Sequence, residues 1–191
     1  MSRNTSKSLT TREIALSAAL AAISATVQLI HIGYQSPQFG IWLDLVAVSW
    51  IVAFMLFGIR AALLTSLIGA LIITLFGPST WIGASCKWLL TAPLWLSLYL
   101  WNVITQKPLA DYQYFKNFLP PLVLSLIIRC ALAIPIDYYF AFPLWLNLSP
   151  TQAFASIPWY IVVMFNAIQT IIDLSLAWVI VFRFKLSRFA S

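Results

Sequence analysis

Three polar side chains lie within one long apolar stretch of the C-terminal part of the chain. Asn166, Gln169 and Asp173 are spaced i, i+3 and i+7, which places them on one face of a helix. Amides both donate and accept hydrogen bonds, and a carboxylate accepts them. A polar stripe in apolar surroundings has to face protein, water or a ligand, so the spacing predicts a buried polar site.

Ionisable residues also occur at the ends of other apolar stretches. Asp44 and Lys87 open two of these stretches, and Asp137 closes a third. Together with Asn166 and Gln169, they predict a binding cavity built from four segments. Helix capping by Asp44 and snorkelling by Lys87 explain those two residues without a ligand. The two amides lie too deep for either explanation.

Arg129 and Asp173 lie at matched depths on two consecutive, antiparallel segments. Each is about 15 Å from the same end, at 1.5 Å per helical residue. Charges at such depth usually pair with each other or face a cavity. A structural ion pair is the favoured interpretation, and a direct contact with a ligand is the alternative.

Catalytic and metal-binding motifs are absent from the sequence. It contains neither a Ser-His-Asp or Cys-His set nor a glycine-rich phosphate loop, and Cys86 and Cys130 form no CxxC pair. The single histidine, His31, is interpreted as an interfacial or packing residue. We therefore expect a protein that is not an enzyme and that carries no metal or cofactor.

The composition shows what kind of chain has to position these groups. Hydrophobic residues make up 62% of the 191 residues and charged residues 8%, against about 25% charged in soluble domains. The mean hydropathy is +0.92. These values exclude a soluble enzyme, a disordered chain and, despite the net charge of +6, a nucleic-acid-binding protein. The sequence predicts an all-α integral membrane protein in contact with lipid.

A membrane-spanning helix needs about 20 apolar residues, and six apolar stretches approach this length. They form a single membrane domain over residues 1–191 with six transmembrane helices, predicted at residues 12–32, 44–57, 60–76, 82–104, 118–139 and 157–184. The pair Thr10 and Glu13 predicts a capping box at the start of the first helix. Phe140 to Ser156 is predicted to be a loop.

Basic residues predict the orientation of these helices. Nine of the eleven lie at the end that carries both termini, and the three opposite loops have none: Arg3, Lys7, Arg12, Arg60, Lys107, Lys116, Arg183, Lys185 and Arg188. The positive-inside rule then places both termini in the cytoplasm of a multi-pass plasma-membrane protein. The loops without basic residues face outward.

The predicted outer loops are rich in aromatic residues, including Trp42 and Trp81. An aromatic belt at the membrane interface is one explanation. An aromatic-lined pocket that opens outward is the other, and the Gly- and Pro-containing loop before Asp44 suits a gate. With this second interpretation, the predicted ligand-binding residues are Trp42, Asp44, Trp81, Lys87, Asn166 and Gln169.

The first predicted helix carries nested small-residue repeats. Ala15/Ala19 and Ala18/Ala22 both have A-x-x-x-A spacing, which lets helices approach closely in lipid. Packing within the protein is one explanation for this spacing, and docking of another membrane protein is the alternative.

Several of these features coincide in one family. An alanine-rich first helix, a long first outer loop leading into Leu43-Asp44-Leu45, and the short turn Phe57-Gly58-Ile59-Arg60-Ala61 resemble the substrate-binding S component of energy-coupling factor (ECF) vitamin transporters. The resemblance implies that a vitamin binds from outside. It also implies that Ala15, Ala18, Ala19 and Ala22 dock on a coupling transmembrane subunit, which ATPase subunits energise.

Within that family the chain is most similar to the riboflavin-specific branch. Phe165-Asn166 matches a Phe-Asn-x-x-Lys arrangement in the flavin site, and Gln169 stands in place of its lysine. The expected ligand is riboflavin. The alternatives are another vitamin, such as thiamine, pyridoxine or pantothenate, or a non-transport membrane scaffold, which would need no polar stripe.

Overall fold

The computed structural model describes residues 9–30, 32–76 and 80–189. Arg3, Lys7 and His31 lie outside the described residues. The described part contains a small β-hairpin and the following α-helices: α1 Thr11–Leu29, α2 Val46–Phe57, α3 Ile59–Thr74, α4 Thr80–Thr105, α5 Phe115–Ile136, α6 Phe142–Leu146, α7 Pro150–Ser156 and α8 Trp159–Trp178.

Helical segments occupy all six predicted spans, with boundaries shifted by a few residues. Four segments are long and apolar enough to cross a membrane: Thr11–Leu29, Thr80–Thr105, Phe115–Leu146 and Trp159–Arg183. The helices α2 and α3 are apolar but have only 12 and 16 residues. That these two also cross the membrane remains a prediction.

Local sequence signals explain where two of the helices begin. Thr10 caps α1: its hydroxyl accepts from the Glu13 amide at 3.3 Å, and Glu13 accepts from the Thr10 amide at 2.7 Å. This is the predicted capping box. Gly58 separates α2 from α3 with φ of 86°, a conformation that glycine adopts at little cost.

The predicted outer loop after α1 contains a short β-hairpin within an otherwise predominantly helical chain. Gly33–Gln35 (β1) and Trp42–Asp44 (β2) form an antiparallel hairpin in which Gly33 is opposite Asp44. Asp44 therefore ends a strand instead of opening the second helix. Its carboxylate still accepts a hydrogen bond from the Val46 amide at 3.0 Å, so it supports the first turn of α2.

The predicted loop from Phe140 to Ser156 is also mostly helical. After α5 the chain continues through a π-helical turn, Asp137–Ala141, directly into α6. A second capping box, between Ser149 and Gln152, then begins α7. Pro143 and Pro150 lie in the first turns of α6 and α7, where proline is tolerated. Both prolines are therefore compatible with helix, although they lie within the predicted loop.

The short helix α2 lies at the centre of the bundle and contacts α1, α3 and α8. Trp50, Ile51 and Phe54 are fully buried, which explains why α2 is apolar on all sides. Close approach of α3 depends on Gly69, because a Cβ there would lie 2.5 Å from the Ser24 hydroxyl and 2.8 Å from Trp50 Nε1. This central packing holds α8, with its polar stripe, in place.

Candidate ligand-binding cavity

A cavity of about 380 Å³ lies at the end of the bundle that carries the β-hairpin, called the hairpin end below. Its volume is within the range of small-molecule sites, about 300–1,000 Å³. The hairpin, α4, α5, α6 and α8 all contribute to its wall. Five of the predicted ligand-binding residues line it: Trp42, Asp44, Lys87, Asn166 and Gln169.

Arg129 on α5 lines the cavity and pairs with Asp173 on α8, which is fully buried outside the lining. The guanidinium Nη1 lies 3.0 Å from Asp173 Oδ2, and both side chains are buried. Arg129 Nε also donates to Asn166 Oδ1 at 3.1 Å. Since Arg129 reaches two residues of α8 that are about two helical turns apart, it fixes the rotation of α8 against α5.

Gln169 connects α8 to the hairpin. Its side-chain oxygen accepts from the Asp44 amide at 3.0 Å, and its amide nitrogen donates to the Asp44 carbonyl at 2.7 Å. The same nitrogen donates to Asp173 Oδ1 at 2.7 Å. Gln169 thus holds the hairpin backbone and also hydrogen-bonds Asp173 of the buried ion pair.

Asp44 and Lys87 form a second ion pair at the cavity rim. Lys87 Nζ on α4 lies 2.6 Å from Asp44 Oδ1, with both side chains 14% exposed. Lys87 therefore pairs with a protein carboxylate instead of extending to the membrane interface. Together with Gln169, this pair ties the base of the hairpin to two helices.

Both deep amides have protein partners, which is one of the alternatives that the polar stripe left open. Asn166 bonds Arg129 and donates to the Val162 carbonyl at 3.0 Å. Gln169 uses its oxygen and nitrogen on Asp44 and Asp173. The cavity is nevertheless open beside them, so the amides form a preorganised wall.

Trp81 was expected in the pocket, but the structure places it outside the cavity lining. Its ring packs edge-on against Phe140, with ring centroids 6.2 Å apart, and the residue is 45% exposed. The reason is local: α4 begins at Thr80, and the α4 residues that line the cavity, including Thr80, Gly83, Lys87 and Leu90, share a face of the helix that does not include Trp81. Lys87, about two turns later, lines the cavity.

The predicted ligand-binding residues did not include much of the aromatic and polar lining. Phe142 and Trp145 reach the cavity because α6 folds as a helix across the hairpin end, and Phe165 does so from α8. Gln28 also lines the cavity. It is a polar residue in an apolar stretch, the same signal that identified Asn166, and it could have been found by that rule.

The contacts of Gln169 predict that it holds the hairpin down. Replacement by leucine removes both hydrogen bonds to the Asp44 backbone, so we expect faster amide hydrogen exchange in the hairpin than in the native protein. Thr170→Val is the matched control, since Thr170 is buried beside Gln169 but bonds within α8 to Asn166. Equal exchange in both variants would contradict the role of Gln169.

The small residues of α1 form two separate faces. Ser17, Ala21, Ser24 and Ala25 are buried, and α1 contacts α2 and α3. The four alanines of the predicted docking surface, by contrast, are all exposed: Ala15, Ala18, Ala19 and Ala22. Internal packing therefore does not explain those four alanines.

No protein-family model matches the chain, and no curated protein matches it in sequence. Among solved structures, the chain is similar to one described as "Structure and mechanism of the S component of a bacterial ECF transporter". The match has a TM-score of 0.73 and 19% identity, and it covers 93% of this chain and 96% of that chain.

At this identity the likeness shows the fold. The chain thus has the fold of a bacterial ECF-transporter S component over nearly its whole length. The expected resemblance is confirmed at that level, together with the predominantly helical, multi-helix architecture of a membrane protein.

Proposed function

We propose that the chain is the substrate-binding membrane subunit of an ECF-type vitamin uptake transporter. The observation that carries the proposal is the cavity, with its buried polar wall, on an S-component fold. A bundle that only served as a scaffold would gain nothing from two buried charges and two buried amides beside an open space, since such groups are costly in a membrane.

The proposed orientation follows from charge. The hairpin and the segment from α6 to α7 contain no lysine or arginine, whereas the exposed basic residues described in the structure lie towards the opposite end. By the positive-inside rule the cavity opens to the exterior of the plasma membrane and both termini are cytoplasmic. A nutrient would then enter beside the hairpin.

Riboflavin is the proposed ligand. Asn166 follows Phe165 as in the riboflavin-specific branch, and both residues line the cavity. A heteroaromatic ring has polar edges for Asn166 and Lys87, and apolar faces for Trp42, Phe142 and Trp145. The Gln169 side chain hydrogen-bonds the hairpin backbone and Asp173. No positive charge therefore stands at the position of the lysine in the Phe-Asn-x-x-Lys arrangement.

Titration of the purified protein with riboflavin, followed by flavin fluorescence quenching, tests this proposal. Trp42→Ala should weaken binding by about tenfold, since loss of an aromatic contact costs about 0.5–1.5 kcal/mol beyond the lost apolar area. Trp81→Ala is the matched control and should bind like the native protein, because Trp81 is outside the lining. Both side chains are partly exposed, so neither change should unfold the bundle.

Two results would contradict the proposal. Absence of quenching at micromolar riboflavin would exclude that ligand and leave another vitamin as the substrate. If Asn166→Leu bound the ligand as tightly as the native protein, the binding site would lie elsewhere. Copurifying small molecules, identified by absorbance and mass spectrometry, would name the ligand directly.

A further inference from the structure

The charges around the cavity do not cancel. Lys87 is paired with Asp44, and Arg129 is paired with Asp173. Asp137 also lines the cavity, but it takes part in neither of these ion pairs, which are the two found among residues 9–30, 32–76 and 80–189. Including Asp173, which lies outside the cavity lining, three carboxylates accompany two cationic side chains. When Asp137 is ionised, one negative charge is therefore in excess.

Asp137 lies where a charge is costly. It begins the π-helical turn between α5 and α6, close to an apolar cluster that includes Ile82, Cys86 and Ala141. The positive charge that acts on it comes from Arg129, whose ion-pair partner is Asp173. An unpaired carboxylate in such a place is stabilised by a cation or by an N–H donor.

We infer that Asp137 is a ligand-binding residue that selects compounds presenting a positively charged or N–H nitrogen, and that the cavity rejects compounds bearing a carboxylate. This inference rests on the proposed function. A carboxylate ligand would add a second unpaired negative charge to the cavity, because Lys87 and Arg129 already have carboxylate partners. Neutral or cationic nitrogen heterocycles and amines satisfy Asp137, and riboflavin, with an imide N–H, belongs to this class.

The experiment compares four probes on the purified full chain by isothermal titration: riboflavin, thiamine, pyridoxamine and pantothenate. The first three present an N–H or a positive nitrogen without a carboxylate, and pantothenate carries a carboxylate. We expect at least one of the first three to bind and pantothenate not to bind. Asp137→Asn should weaken that binding by about tenfold, because a hydrogen bond to a charged acceptor becomes one to a neutral acceptor.

Two controls separate recognition from structure. Asp111→Asn, in the 3₁₀ turn Leu109–Gln113 outside the cavity lining, should bind like the native protein. The melting temperature of unliganded Asp137→Asn should equal or exceed the native value, since the change removes an unpaired charge. A purely structural carboxylate would give a lower melting temperature.

The outcomes distinguish the inference from the function on which it rests. Binding of pantothenate to the native protein, or unchanged binding in Asp137→Asn, overturns the inference and leaves a ligand-binding subunit. If no probe binds and no small molecule copurifies, the proposed function fails, and the inference fails with it.

Discussion

Asp173→Ala should lower the free energy of unfolding by about 3–5 kcal/mol, the cost of leaving a buried charge without its partner. The change strands the Arg129 guanidinium, which is 3% exposed. It also removes one acceptor of Gln169. Reversible denaturation in mixed micelles, or a thermal melt in detergent, measures the loss.

A double-mutant cycle identifies the interaction as the cause. Arg129→Met together with Asp173→Ala removes both charges, so the double variant should recover part of the stability lost in Asp173→Ala. Recovery will be incomplete, because Asn166 Oδ1 loses its bond from Arg129. Strictly additive losses would show that the two residues do not interact.

The ion pair at the cavity rim gives a matched control. Lys87→Met strands Asp44, but that pair is partly exposed and water can solvate the remaining carboxylate. Its loss of stability should therefore be clearly smaller than that of Asp173→Ala. Equal losses would mean that burial does not set the cost of a broken pair in this bundle.

The sequence predicted those parts of the fold that depend on apolar length and helical spacing. Segments of the bilayer's thickness stand out in composition, and counting residues from a common end placed Arg129 and Asp173 at one depth. The hairpin was not predicted, because its strands have three residues each and pair only in the folded protein. Likewise, prolines that suggested a loop lie in the first turns of α6 and α7.

The candidate site was predicted in its residue types but not in its connections. Spacing placed Asn166 and Gln169 on one face of α8, yet it gave no information about the hairpin backbone, which turns out to bond Gln169. Trp42 and Trp81 were equivalent in the sequence. Tertiary structure separates them, since β2 brings Trp42 to the cavity and Trp81 lies on a face of α4 that does not line it.

Solvent exposure divides the small residues of α1 into a buried face and an exposed face, which their spacing in the sequence did not distinguish. The buried residue Ala21 and the exposed residue Ala18 are both members of the alanine-rich pattern. A small side chain that faces lipid adds no packing contact that would stabilise the isolated protein. The exposed alanines therefore suit a second helix that packs closely against α1.

Ala18→Trp should reduce transport to background while ligand binding by the isolated protein stays at the native level. Ala18 is exposed, so an indole there meets no neighbour within this chain, but it prevents close approach of a helix from another subunit. Uptake of radiolabelled riboflavin by cells that produce the chain with its energising subunits measures transport. Flavin fluorescence quenching on the purified variant measures binding.

Two alanines elsewhere make this prediction specific. Ala131→Trp places the same bulk on an exposed position of α5, away from the predicted docking surface, and should leave transport intact. Ala21→Trp places it on the buried face of α1, where overpacking typically costs about 1–3 kcal/mol or more, and should impair folding and binding together. If Ala18→Trp behaves like Ala131→Trp, the alanine surface does not dock a subunit. If it behaves like Ala21→Trp, Ala18 supports the fold of the chain itself.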